Sequence, residues 1–327
     1  MGNSLITGLD FSPKSVKAVV LKQVNQAFRL ICYKEIPIEF YVFSDNFAQD
    51  YQEIVKKLKE LRKSLPSNSR KVSITIDDAL VFSKEIQIDS ILEGNERRHA
   101  LTKAVSQQLA CYPNELSIDF ALLARDPRKT KNSRASYQVY ATKTSYVERC
   151  ASLLQKAGFK PLLMDTKNRC LVRLWHQAHY NFSMSSWLLV DVSHGTFRLC
   201  IPTKGTQPYI YSESLDDLIG DSSGIYNPAV ALKKRLLAAI ENLMSARQNV
   251  PLAGVWLVGS HFLQSNDIAE LSLLIQLPIK HVSPFAFLNR DSINNQTKLL
   301  ADASFAVACG AAINGFEWLV GDRCVSN

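Results

Sequence analysis

Apolar positions along this chain alternate first and then repeat at helical spacing. Residues 5–11, 16–22 and 27–38 form three apolar-rich stretches that predict consecutive strands. Phe47, Tyr51, Ile54, Val55, Leu58, Leu61 and Leu65 then recur every three or four residues, which predicts a helix capped by Ser44 or Asp45 and ended by Pro66. Val72, Ile74 and Ile76 alternate with polar residues and predict a returning strand. Between 84 and 165 the pattern reads strand 85–88, helix 97–110, strands 116–124 and 136–142, helix 146–156 and strand 160–164. This β-α-β-β-α-β order suits a separate ferredoxin-like unit. A helix is expected over 166–180, strands over 187–213, a helix over 229–247 starting at Pro228, a strand over 254–258 and a helix from Asp267 to Ile275.

Two segments about 180 residues apart have the same form. The first is Gly8-Leu9-Asp10-Phe11-Ser12-Pro13-Lys14-Ser15-Val16-Lys17, and the second is Leu189-Val190-Asp191-Val192-Ser193-His194-Gly195-Thr196-Phe197-Arg198-Leu199. Each places an aspartate at the end of an apolar strand, turns through small or polar residues, and resumes a strand. Such a turn aims backbone N–H groups and hydroxyls into one space, as phosphate oxygens require. The aspartate stands where a nucleotide-bound Mg²⁺ needs a carboxylate, directly or through water. A third segment, Val255-Trp256-Leu257-Val258-Gly259-Ser260-His261, is a buried-strand pattern ending in a glycine turn. The candidate nucleotide site is therefore Asp10, Ser12, Lys14, Ser15, Lys17, Asp191, Ser193, Gly195, Thr196, Gly259 and Ser260, with Asp10 and Asp191 facing the metal. The competing reading is a set of ordinary strand-end turns capped by aspartate.

The order of these three segments resembles the actin-like ATPase superfamily, and within it the PilM branch, actin-like proteins of type IV pilus assembly. The stretches Leu109–Phe120, Leu153–Asp165 with Ala157-Gly158, Leu277-Pro278-Ile279 with Pro284, and the small-residue run Ala301–Ile313 are similar to further elements of that branch. The resemblance implies an α/β, two-lobed actin-like (ribonuclease H-like) fold. Its first lobe would span 1–83 plus 166–186, an inserted α+β subdomain 84–165, and a second lobe 187–327. Only Leu215–Pro228 stands where the branch normally carries a helical subdomain, so the second lobe is expected to be reduced. The implied function is a cytoplasmic scaffold for pilus biogenesis or competence DNA uptake. It would dock the N-terminal tail of a PilN-like inner-membrane protein in a groove between the first subdomain and the insert. The alternative is a working actin-like ATPase of pilus or type II secretion machinery.

Several residues depart from the pattern. Ser12 stands for an expected glycine, Pro13 has no N–H to donate, and Lys14 enlarges the tip. Ser193 and His194 replace glycines that would let a phosphate approach closely. ATP and Mg²⁺ are therefore expected to bind weakly or not at all. No general base stands out.

Composition narrows the remaining classes. The 327 residues are 46% hydrophobic and 21% charged, as in a folded domain protein. The N-terminus has no signal-peptide pattern, no apolar run is expected to reach membrane-span length, and the tail from Asn314 with Gly315 and Gly321 is expected to lack an amphipathic membrane helix. These features point to the cytoplasm and to membrane contact only through partners. Seven scattered cysteines and six histidines show no metal-ligand spacing. The net charge of +8 favours acidic partners, and its densest spot is Arg125–Arg134. That tip reads either as a solvated loop or as an element attracted to anionic lipid. Nucleic acid is disfavoured because no aromatics interleave the basic residues. Self-association is left open.

Overall fold

The computed structural model describes residues 4–25, 27–39, 42–43, 47–125, 133–182, 186–193, 195–201, 209–215, 228–246, 252–259, 265–288 and 302–325. His194, Ser260, His261, the cap candidates Ser44 and Asp45, residues 126–132 of the basic tip and residues 216–227 of the shortened second-lobe segment lie outside them.

Two five-stranded sheets have the same internal order. In the first, β1 (Leu5–Phe11), β2 (Ser15–Val24) and β3 (Ala27–Pro37) form an antiparallel meander, and β4 (Lys71–Ile76) and β8 (Lys160–Thr166) run parallel to β1, giving β3-β2-β1-β4-β8. In the second, β9 (Trp187–Ser193), β10 (Thr196–Ile201) and β11 (Tyr209–Ser214) repeat the meander. Strands β12 (Gly254–Gly259) and β13 (Ile279–His281) add in parallel, giving β11-β10-β9-β12-β13. Central strands β1, β9 and β12 are buried along their whole length, which accounts for their nearly continuous apolar runs.

Helices cover both faces of the sheets. On one face of the first sheet, α1 (Phe47–Ser64) and α3 (Thr144–Lys156) bury Ile54, Leu58, Leu61, Leu153 and Leu154. Between the lobes lie α4 (Lys167–Phe182) and the last helix, α7 (Ala306–Val325). The former packs on β9 and β10 and also on β4 and β8, the latter on β1, β2 and β4, and the two pack on each other. The remaining pair, α5 (Pro228–Ala246) and α6 (Ser265–Ile275), contributes Leu232, Leu236, Ile240 and Leu271 to the second-lobe core. A third, three-stranded sheet, β5-β7-β6, is built from β5 (Phe82–Asp89), β6 (Leu116–Arg125) and β7 (Arg134–Lys143). With α2 (Gly94–Leu109) it encloses its own small core of Ile86, Ile88, Leu101, Val105, Tyr137 and Val139.

Three expectations are corrected. The ferredoxin-like unit over 84–165 does not close on itself, because β8 pairs with β4 and α3 packs into the first-lobe core. The insert proper is β5, α2, β6 and β7. The lobe boundaries also interleave: α4, assigned to the first lobe, packs on β4 and β8 of the first sheet and also on β9 and β10 of the second, while the C-terminal α7, assigned to the second, lies on the first. The last helix runs through Val325. A Cβ on Gly8 would stand 2.0 Å from the Ala308 carbonyl, and one on Gly315 2.7 Å from Ile6 Cγ2. The close packing of α7 on β1 thus outweighs the low helix propensity of glycine. Contrary to the sequence reading, the stretch 303–321 is long and apolar enough to cross a membrane by length and composition, but 72% of it is buried inside the protein.

Burial also sets thiol chemistry. Cys150, Cys170, Cys200 and Cys309 are buried and Cys32 and Cys111 half-buried, all unpaired. Desolvation pushes the Cys150 thiol up to about 12 from its ordinary 9.0. At pH 8 a maleimide is expected to label Cys32 and Cys111 in the native protein and to spare the buried four until urea is added. Mass spectrometry of the labelled peptides checks this. The sign for stability follows: above pH 9 the unfolded Cys150 ionises while the folded one stays protonated, so this group lowers stability as pH rises.

Candidate functional site

The two aspartate hairpins occupy equivalent places at the ends of β1 and β9. In each, the aspartate pairs across the hairpin with a basic residue seven positions later, Asp10 with Lys17 and Asp191 with Arg198. Both carboxylates are buried, Asp10 to 2% exposure and Asp191 to 0%. A buried carboxylate must be hydrogen-bonded or paired. Thr75 Oγ1 donates to Asp10 Oδ1 at 2.8 Å, and Lys167 Nζ lies 3.7 Å from the same oxygen and 2.6 Å from Asp77 Oδ1. Ser193 Oγ donates to Asp191 Oδ1 at 2.7 Å, and Arg198 Nη1 donates to its Oδ2 at 3.3 Å.

Arg198 also approaches the first lobe. Arg198, on β10 of the second sheet, places Nε 4.0 Å from Asp78 Oδ2, in the turn after β4 of the first. Asp78 in turn accepts the Asn168 backbone N–H at 3.3 Å, at the start of α4 where helical N–H groups are unpaired. A continuous path runs Asp191–Arg198–Asp78, and from its neighbour Asp77 through Lys167 to Asp10. The two strand-end aspartates therefore address one cleft. Burial raises Asp78 above the ordinary carboxylate range, with Arg198 opposing. Burial alone would lower Lys167, but Asp10 and Asp77 outweigh it and the net direction is up.

The other sequence-predicted residues divide by hairpin. Ser12 and Ser15 turn their donors on themselves: Ser12 N–H and Oγ–H both reach the Ser15 carbonyl, and Ser15 N–H reaches Ser12 Oγ. Lys14 is exposed at the tip. Lys17 is 3% exposed, donates to the Ser304 carbonyl at 3.2 Å and lies over the Phe305 ring, so it serves the packing of the C-terminal segment. Gly195 holds a left-handed φ of 71° beside Thr196, and its carbonyl accepts the Leu215 N–H. Gly259 pairs with Val192 at φ 102°, where a Cβ would stand 2.2 Å from the Val192 carbonyl. Its glycine is thus demanded by the contact of β12 with β9.

A nucleotide-bound Mg²⁺ fits this donor set poorly. The carboxylates it needs are each paired with a cation of the chain, Pro13 has no N–H, and the first hairpin has spent two N–H groups within its own turn. Lys167, Arg198, Asp77 and Asp78 were not singled out from sequence. The shared seven-residue spacing from Asp10 to Lys17 and from Asp191 to Arg198 was a signal for Arg198; nothing local marks Lys167.

A second feature lies between the first lobe and the insert. A groove of about 830 Å³ is walled by Leu162–Thr166 of β8, Ser117–Asp119 of β6, Tyr140–Thr142 of β7, and Asn314, Glu317, Trp318 and Gly321 of α7. Strand β8 is the edge of its sheet, and β6 the edge of the insert sheet. Arg169 bridges the floor, pairing with Asp165 at 3.0 Å and lying over the Tyr140 ring at 4.8 Å; Arg173 pairs with Glu317 at 2.8 Å.

Two sheets of one strand order, with aspartate hairpins converging on an inter-lobe cleft, define an actin-like ATPase fold. The chain belongs to the family of the type IV pilus assembly protein PilM, whose family model matches residues 8–213. Among solved structures it is similar to a chain of a "PilM-PilN type IV pilus biogenesis complex", with TM-score 0.69 and 17% identity over 96% of this chain and 98% of that one. It is also similar to the ethanolamine utilization protein EutJ from Carboxydothermus hydrogenoformans, with TM-score 0.50 and 10% identity over 96% and 90%. No curated protein sequence matches the chain.

Proposed function

We propose that this protein is a cytoplasmic scaffold of the inner-membrane platform that assembles type IV pili or takes up DNA. In this reading it holds the extended N-terminal tail of a PilN-like membrane protein, and its own membrane association is peripheral. The observation that carries this reading is the groove between the first lobe and the insert. It offers an open strand edge, apolar side chains from Leu162, Leu163, Met164 and Ile118, and a half-exposed Trp318. An extended peptide can pair with such an edge through its main chain while alternate side chains enter the groove. Of the edges expected from sequence, 116–142 contributes and 84–90 does not line the groove. The Ile118 carbonyl on β6 already accepts from Arg98, so β8 is the better pairing edge. Titration calorimetry with a synthetic peptide of the partner's cytoplasmic tail tests the reading; saturable 1:1 binding supports it, and absence of heat and of competition rejects it.

The second reading, a working ATPase, has the fold behind it but not the cleft. Calorimetry with Mg-ATP is expected to give weak or no binding, and turnover near background. Micromolar affinity lost in Asp10→Ala and Asp191→Ala would instead establish the ATPase.

A further inference from the structure

We propose that the end of the first lobe where β4 and β8 begin is a basic pole that seats on an anionic lipid surface. The inference deepens the peripheral membrane association proposed above, and rests on that reading only for its cytoplasmic setting. Four segments meet there. Lys71 and Lys160, the first residues of β4 and β8, stand opposite each other in the register, and the Lys160 N–H donates to the Arg70 carbonyl at 2.7 Å. Helix α1 carries Arg62 and Lys63 in its last turn, and α3 carries Lys156 in its own. Arg62 ties these segments together: its guanidinium lies 5.7 Å from the Phe159 ring centroid and donates to the carbonyls of Leu65, Pro66 and Ser67. Burial lowers Arg62 from its ordinary value, and the nearby Arg70 adds to that shift, as a close like charge does. Lys63, Arg70, Lys156 and Lys160 are exposed and Lys71 is half-buried. Among the described residues no ion pair involves any of these five. Residues 61–76 and 149–164 contain no aspartate or glutamate, and Glu60, just before them on α1, pairs with Lys57 at 3.8 Å.

The first lobe is thus polarised along its parallel strands. Asp77, Asp78 and Asp165 stand at the other ends of β4 and β8, against the cleft and the groove. Strand β4 is 6 residues long, which puts its two ends about 20 Å apart at about 3.3 Å per residue. That is more than twice the Debye length of about 8 Å at physiological ionic strength, so the acids do not neutralise the pole. Lipid fits it better than other anionic partners do. Four of the five side chains are lysines, compact charges on flexible stems, which suit a field of phosphates more than one oriented phosphate. The fork of Arg62 is filled by main-chain carbonyls. The nearby rings are covered: Phe159 is 3% exposed, and Lys156 Nζ lies 4.7 Å from the Tyr51 centroid, so neither offers a platform on which a base could stack. A headgroup layer needs no pocket, because its diffuse negative potential attracts a cluster of basic residues as such.

Co-sedimentation of the full chain with vesicles tests the proposal, using mixed phosphatidylglycerol–phosphatidylcholine vesicles against pure phosphatidylcholine. Wild type is expected to bind only the anionic vesicles, and to leave them as salt approaches about 1 M, where the Debye length is about 3 Å. The triple variant Lys63→Gln, Arg70→Gln, Lys160→Gln is expected to bind about 100-fold more weakly, at roughly fivefold per basic residue. A second triple variant, Lys34→Gln, Lys103→Gln, Lys234→Gln, removes the same charge from exposed positions on β3, α2 and α5. It is expected to lose about fivefold at most. All six side chains are exposed, so both variants should fold as wild type does. Equal losses in the two variants overturn the proposal, because net charge alone would then decide. Wild type that ignores anionic vesicles, or binds duplex DNA more tightly than vesicles, overturns it too. Peptide calorimetry on the same proteins keeps the groove separate. The pole variant is expected to bind the partner's tail as wild type does, and Trp318→Ala to bind vesicles as wild type does, so peptide binding decides the groove and vesicle binding the pole.

Discussion

Replacing Trp318 by alanine is expected to weaken capture of the partner's extended tail by about 30-fold or more, the loss of about 2 kcal/mol that marks an interface hot spot. Trp318 is 45% exposed on α7 and lines the groove beside Glu317 and Gly321. A large apolar ring left half-exposed at the rim of an apolar groove has surface to bury on binding and little to lose in the free protein. Native stability should therefore change little, and the comparison of peptide calorimetry with urea unfolding separates contact from folding. Equal affinity in wild type and Trp318→Ala would move the docking site elsewhere. A charge placed on another wall, Leu163→Asp, is expected to reduce binding too, because covering a carboxylate with the peptide costs its hydration.

The largest loss of stability is expected from Gly310→Val. A Cβ at position 310 would stand 2.0 Å from the Cys170 carbonyl oxygen and 2.6 Å from its carbon, both backbone atoms of α4. Neither can swing aside, so α7 and α4 must separate, and these are the helices lying between the two sheets. Overpacking of this kind costs about 3 kcal/mol and sometimes more. Gly321→Ala on the same helix is expected to act in the opposite direction, gaining up to about 1 kcal/mol of helix propensity, since nothing lies within 4 Å of its added Cβ. Urea midpoints at unchanged slope measure both. Opposite signs from two glycines of one helix distinguish packing from propensity.

Much of the architecture was written in local pattern. Alternation and helical spacing marked β1 to β4, α1, α2, both aspartate hairpins and α5 close to their observed bounds, because each element buries a face whose period the sequence must carry. The hairpins could be paired by eye since both end an apolar strand in aspartate. The same local logic failed where an element's partner is distant in sequence. Strand β8 and helix α3 look like the end of the insert, yet an edge of the first sheet lay open beside β4 and its apolar face needed cover, so both went there. Gly310 and Gly315 have low helix propensity by themselves, but they are the contact surface of α7, and only the neighbouring backbone of α4 and the side chains of β1 give them that use.

The cleft divides in the same way. Its aspartates, its missing N–H at Pro13 and the glycine of the second turn were legible in the residues themselves. The presence of cations against those aspartates was not. Lys167 follows Asp165 and Thr166 as an unremarked polar residue at a helix start, and Arg198 is one basic residue in a strand. Four segments separated by tens of residues had to meet before their charges became one network. Local sequence determines which segments form strands and helices, because periodicity and turn chemistry act over a few residues. Which cation stands against which carboxylate in the cleft was decided only by the tertiary structure, because Coulomb interactions in a buried space depend on distance in three dimensions and not along the chain.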